Sequence, residues 1–206
     1  MKKTAISIIL AAIMMSAAFG QDKRYEIESA IIKKNAVIKA QGMPTEQKMS
    51  SIQYFAEYGN KESTESSIEM QGQTISMFNM IKDGYMYSAS LNFKQGTKIN
   101  TADIENFNIV NFLNLTDEIK TQYQIQANGV EQVLGKPCNR YEMNYTAQGQ
   151  TAISTVWVWQ GIILKSKITA SGTIAEEEAT EILEGAAIAP EKFELPEGIT
   201  FTEVKL

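Results

Sequence analysis

The sequence predicts a mainly β protein built on one antiparallel sheet, with a short helical interruption. Two observations predict the sheet. Turn signals recur at short intervals, at Gln41-Gly42, Gly59-Asn60, Gln71-Gly72, Asp83-Gly84, Gln95-Gly96, Asn128-Gly129, Gly149, Gln160-Gly161 and Ser171-Gly172. The segments between them are rich in Ile, Val, Thr, Tyr, Phe and Met. Such side chains fit a pleated, half-buried surface, and regularly spaced turns mark a barrel or a sandwich. A third observation places the helix. Ile109, Phe112 and Leu113 recur at the i, i+3, i+4 spacing of one helical face.

The chain opens with Lys2 and Lys3, an apolar run from Ile6 to Ala18, and Ala18-Phe19-Gly20 before Gln21. This is the pattern of a cleavable bacterial secretory signal, expected over residues 1–20. The run is shorter than the roughly 20 residues a membrane span needs. Residues 21–206 are then expected to form one exported domain with no stable membrane insertion. No cysteine stands directly after the signal, which argues against a lipid anchor.

Two hairpins can be registered. Asp83-Gly84 suits a type I′ turn, whose central residues both need positive φ. It sets Met80 opposite Tyr87 and Phe78 opposite Ala89, so Phe78, Met80, Tyr87 and Leu91 share a face. A two-residue loop at Gln160-Gly161 sets Trp159 opposite Ile162, Trp157 opposite Leu164 and Ile153 opposite Ile168. The other face of that hairpin, with Ser154, Val156, Val158, Ile163, Lys165, Lys167 and Thr169, is expected to be the wetter one. Between residues 101 and 124 one or two short helices are expected. Thr116 followed by Asp117 and Glu118 has the form of an N-cap with acids in the first turn, where they suit the helix dipole.

Both tryptophans of the chain lie in Thr155–Lys167. Burying two indoles removes roughly 300–500 Å² from water, on the order of 8–12 kcal/mol as an upper bound. The tryptophan face must therefore be covered, by a second sheet, by the helix or by a ligand. Met49, Met70, Met77, Met80, Met86 and Met143 fall in or beside the expected strands and suit either an ordinary core or an adaptable apolar cavity.

Composition excludes several chemistries. The chain has no histidine, so Ser-His-Asp and Cys-His nucleophile systems are absent. One cysteine, Cys138, rules out a CxxC redox motif and is expected to be a small buried apolar residue. No glycine-rich loop joins a strand to a helix, so no nucleotide motif is present. The net charge of −5 with only two arginines, Arg24 and Arg140, gives no footprint for nucleic acid. Carboxylates remain at Asp103 and Glu105 and in the run Glu176-Glu177-Glu178, which is expected to be a solvated turn or strand end. No enzyme activity, cofactor or metal is expected.

Three stretches carry a resemblance: GVEQVLGKPCNRYEMNY (129–145), VWVWQGIILKSKI (156–168) and PEKFELPEGITF (190–201). In this order they resemble a group of exported bacterial proteins that is itself similar to the LolA/LolB lipoprotein-carrier superfamily. The match covers the C-terminal third; the N-terminal half matches in pattern. The resemblance implies a strongly curved, unclosed antiparallel half-barrel with helices packed on its concave face, and a space there that takes acyl chains. It would place Trp157, Trp159, Ile162 and Leu164 on the concave face, under a lid bearing Ile109, Phe112 and Leu113. Phe78, Met80 and Tyr87 complete the expected ligand-binding set.

The expected function is therefore a periplasmic (or outer-membrane-associated or secreted), non-enzymatic protein that binds a lipid, an acyl chain or another apolar ligand. The alternative is an envelope module that meets a protein partner through a sheet edge and has no ligand cavity.

Overall fold

The computed structural model describes residues 23–42, 45–70, 72–104, 110–147 and 150–205. The expected signal segment, Ile109, Glu105 and the Gly149 turn lie outside the described residues. Twelve strands form one sheet: β1 (Ala30–Ala40), β2 (Gln47–Ala56), β3 (Lys61–Met70), β4 (Gln73–Lys82), β5 (Tyr85–Ser90), β6 (Gln95–Asn100), β7 (Gln126–Val133), β8 (Lys136–Ala147), β9 (Gln150–Trp159), β10 (Ile162–Ala170), β11 (Thr173–Glu184) and β12 (Thr200–Glu203). Their order is β12-β6-β5-β4-β3-β2-β1-β11-β10-β9-β8-β7. Every neighbouring pair is antiparallel except β12 with β6. The sheet does not close, and β7 and β12 are its edges. Among the described residues no helix is long and apolar enough to cross a membrane.

Helix is scarce. A 3-10 turn spans Thr101–Asp103, and α1 (Asp117–Gln122) begins where the sequence places it. The Thr116 hydroxyl accepts from the Ile119 amide at 3.3 Å, satisfying one orphan donor of the first turn. None of the six α1 residues is buried. Phe112 and Leu113, expected on a helical face, form a turn instead.

The Asp83-Gly84 hairpin has the expected register, Phe78 opposite Ala89 and Met80 opposite Tyr87. Both turn residues have positive φ, 51° and 81°. Two other expected turns are corrected. Asn128-Gly129 lies inside β7, at a register shift between Ala127 and Val130, and the actual turn is Leu134-Gly135. Gln95-Gly96 opens β6 rather than preceding it.

The second hairpin starts as expected, with Trp159 opposite Ile162. The register then shifts between Ile163 and Lys165, so Trp157 stands opposite Lys165 rather than Leu164. Ile153 meets Thr169 rather than Ile168. A bulge adds one residue to one strand, and because side chains alternate, one extra residue exchanges the faces beyond it. The consequence is visible in burial. Val156, Val158 and Ile168 are buried, while Ile153 is 55% exposed. Trp157 and Trp159 are buried as well, so next to the turn both faces of β9 are covered.

The curvature follows from a strap, residues 23–29, at one end of the sheet. The Tyr25 amide donates to Tyr58 O, between β2 and β3, at 3.2 Å; the adjacent Glu26 amide donates to Gln160 O, between β9 and β10, at 3.1 Å. One residue of chain and two hydrogen bonds bring the two turns within about 10 Å. In a flat sheet the same turns, separated by β2, β1, β11 and β10, would lie about 19 Å apart at the usual strand spacing. The sheet must bend to close that gap, and the strap, as a chord, lies on its concave side. Gly161 permits the approach: at φ 85°, a Cβ there would collide with Arg24 O and touch Leu113.

Candidate functional site

Residues opposite each other in the ladders share a face, which divides the sheet into two surfaces. The concave surface is the one on which the strap sits, since Tyr25 stacks on Phe55 with ring centroids 4.4 Å apart. It continues through Ala36, Lys34 and Ile32 on β1, and through Met49, Ser51 and Gln53 on β2. On β9, β10 and β11 it carries Val156, Ser166 and Glu177.

The strap closes one end of this trough with a buried polar network. Arg24 is ion-paired with Glu62, with 4% of each side chain exposed. The Arg24 Nε–H donates to Gly59 O at 2.9 Å, the Tyr25 hydroxyl donates to Glu62 Oε2 at 2.9 Å, and Gln53 Nε2 donates to Glu62 Oε1 at 2.7 Å. Burial works to lower the Arg24 pKa; Tyr25 and Glu62 outweigh it and hold the group above its ordinary value. Around the network lies the main core, which includes Ile32, Phe55, Ile162, Leu164 and Ala179.

Away from that end, among the described residues, the trough is lined by two clusters of strand residues. One contains Ile38, Ala152, Ile168, Ala170 and Ala175; the other contains Ala36, Met49 and Ile68, with Ile75 against it. Four of these eight buried residues are alanine. All eight are 8% exposed or less.

Between the closed end and these clusters runs a polar band. One ladder row reads Lys34, Ser51, Ser66; the next reads Gln53, Thr64, Asn79, Ser88, Thr97. The Lys34 ammonium lies 3.4 Å from Glu177 Oε2, and the Ser51 hydroxyl donates to Glu177 Oε1 at 3.2 Å. Lys34 and Glu177 are only 9% and 6% exposed. The glutamate run is thus a mid-strand segment rather than a turn or strand end. Glu177 points into the trough, while Glu176 and Glu178 point outward to Lys167 at 2.7 Å and Lys165 at 2.8 Å. The Lys167 ammonium holds Glu176 below the ordinary carboxylate range.

Of the residues expected to form one ligand site, Trp157, Trp159, Ile162 and Leu164 share the main core, and the other described ones lie apart from it. By register, Trp157 shares the convex surface with Arg140 and Lys165. Arg140 and Lys165 lie 5.6 and 5.3 Å from the Trp157 ring centre, and the indole N–H donates to Glu131 at 2.8 Å. Lys136 lies 4.3 Å over Trp159. Ile162 and Leu164 are fully buried at the closed end. Phe78 and Met80 are buried on the convex surface, six ladder steps from β9. Tyr87 meets Phe201 edge-on at 5.2 Å. The C-terminal segment covers that region, with the Ser63 hydroxyl donating to Lys192 O at 2.5 Å and Lys192 4.7 Å over Tyr54. A half-open pocket of about 350 Å³ lies there between Met80, Lys82 and Phe193. Phe112 packs on Tyr141 at 5.3 Å, which belongs to the concave surface, and Leu113 lies by Gly161.

Sequence reasoning missed Arg24, Lys34, Gln53, Glu62 and Glu177. The available signal was polar residues at inward positions of an alternating strand, as in AIIKKNAVIKA, where Lys34 interrupts Ala30, Ile32, Ala36 and Ile38. Cys138 is fully buried, as expected, and burial pushes its thiol pKa up. Among the described residues no group of three or more His, Cys, Asp or Glu side chains could hold a metal ion.

No protein-family model and no curated protein matches the chain. Solved structures do resemble it. A domain described as an outer membrane lipoprotein-sorting protein from Vibrio parahaemolyticus aligns over 93% of this chain and 96% of its own, with 11% identity and a TM-score of 0.43. A LolA superfamily protein from Nitrosomonas europaea aligns over 93% and 97%, with 12% identity and a TM-score of 0.38. The MucA/MucB complex of Pseudomonas aeruginosa aligns over 89% of this chain and 61% of the matched one, with 12% identity and a TM-score of 0.45. At these identities and scores the likeness is one of outline and settles nothing about residues or ligand.

Proposed function

We propose that the chain is an exported, non-enzymatic binding protein of the cell envelope that holds an apolar ligand, such as an acyl chain, in the concave trough. The observation that carries this reading is the pair of apolar clusters around Ala36 and Ile168 on the concave surface. The strap closes one end of the trough, so the ligand enters from the end where β1 carries Ile38 and β10 carries Ala170. Ile162 and Leu164 form the floor at the closed end, and Phe112 stands over the β8 side.

The test is native mass spectrometry of the protein purified from the periplasm, with lipid extraction of denatured samples in parallel. A reproducible adduct of lipid or acyl-chain mass is expected. It should be lost in Ala36→Leu, which fills the trough, while the circular dichroism spectrum is kept. A clean unliganded mass after incubation with membrane vesicles would overturn the proposal.

A further inference from the structure

The polar band inside the trough is not what an apolar ligand alone requires. Among the described residues, three buried side-chain atoms on this surface have no hydrogen-bond partner: Gln53 Oε1, Asn79 Nδ2 and Ser90 Oγ. Buried polar atoms are paired in the great majority of cases, and each exception calls for a reason. Lys34 adds to this. An ammonium has three donors, and the bond recorded for this one is a long contact to Glu177. Glu177 in turn also accepts from Ser51. A buried cation held by one loose contact costs free energy that a further acceptor would offset.

The position of the band matters as much as its chemistry. Lys34 stands two residues along β1 from Ala36 and two from Ile32. It therefore separates the packed closed end from the two apolar clusters. An amphiphile entering between those clusters would bring its leading end to Lys34.

We propose that the trough takes an amphiphile head first: an anionic head, carboxylate or phosphate, is held by the Lys34 ammonium, and the chain runs back over Ala36, Ile38 and Ile168. Ser51, opposite Lys34 on β2, lies beside the head. Glu177 holds the ammonium in place when no ligand is bound. This inference rests on the apolar-ligand reading above and adds to it the class of head.

The experiment displaces a fluorescent apolar probe, 1-N-phenylnaphthylamine, from the full exported protein. The competitors are palmitate, palmitoyl-lysophosphatidylglycerol and hexadecanol. Binding of the probe tests the apolar reading by itself, and its absence would overturn that reading. For the head, at least one anionic amphiphile should compete about tenfold or more better than hexadecanol, as a charge-assisted hydrogen bond allows. Preference for palmitate over the lysophospholipid would identify a free fatty acid as the source, and the reverse a phospholipid. In the double variant Lys34→Met/Glu177→Met, which removes both charges together, the advantage should vanish while the probe still binds. Glu177→Gln alone should increase it. Equal competition by hexadecanol and both anions in the wild-type protein, or an advantage that survives the double variant, would overturn the proposal.

Discussion

Arg24 and Glu62 form an ion pair in which each side chain keeps 4% of its exposure, and the pair joins the strap to β3. It is the polar centre of the closed end, and the bend of the sheet depends on what it anchors. Removing one partner leaves the other charged and buried. Glu62→Gln should destabilise the fold by about 3 kcal/mol or more, read as a lower urea midpoint. The double variant Arg24→Met/Glu62→Met should cost clearly less than the two single losses combined. Additive losses would mean the two groups act independently.

The two hairpin glycines offer a direct comparison. Gly84 and Gly161 have φ of 81° and 85°, so alanine is strained at both, by about 1 kcal/mol. Only Gly161 also meets the strap; a Cβ at Gly84 has nothing within 4 Å. Gly161→Ala should therefore cost at least about 1 kcal/mol more than Gly84→Ala in thermal or urea unfolding. Equal losses would mean that the strap moves aside without cost.

Those two turns also mark the limit of what the sequence discloses. Asp83-Gly84 is legible because turn type, loop length and register are all local properties. The bulge near Leu164 is not, because β10 alone alternates without interruption from Ile162 to Ala170. The extra residue exists only relative to β9. The partners of Trp157 and Ile153 were misplaced for that reason. Likewise Glu176-Glu177-Glu178 looks like a solvated run until the partners of alternate glutamates, Lys167, Lys34 and Lys165, are known. Arg24 stands outside any strand, and only tertiary contact gives it a role. Sheet class, the Thr116 cap and the burial of Cys138 were legible because each follows from residue type and near neighbours.

The bulge itself can be tested with two isoleucines. In an unbroken register Ile153 and Ile168 would share a face and lose similar stability on truncation. Ile168 is 5% exposed and Ile153 is 55% exposed. Ile168→Ala should cost about 2–5 kcal/mol, and Ile153→Ala about 0.5 kcal/mol or less. Comparable losses in chemical denaturation would restore the unbroken register.

The outward charges should behave differently from the buried pair, and pH separates them. Glu176 is held below the ordinary carboxylate range by Lys167, and both side chains are about half exposed. A carboxylate whose folded pKa is depressed contributes stability above its unfolded pKa, about 4.3, and loses it as pH falls through the lower folded value. Solvent screening limits the contribution to about 0.5 kcal/mol. Glu176→Gln should thus be slightly less stable than wild type at pH 7, and the difference should vanish in acid and shrink in high salt. Lys192 has the opposite sign. Its hydrogen bond to Glu65 raises it, so its contribution is complete below the unfolded lysine pKa, about 10.4, and is lost as pH rises through the higher folded value. The gap between wild type and Lys192→Met should persist at pH 7 and close in strong base. A Glu176→Gln gap that persists in acid would show that the Lys167–Glu176 pair acts through packing rather than charge.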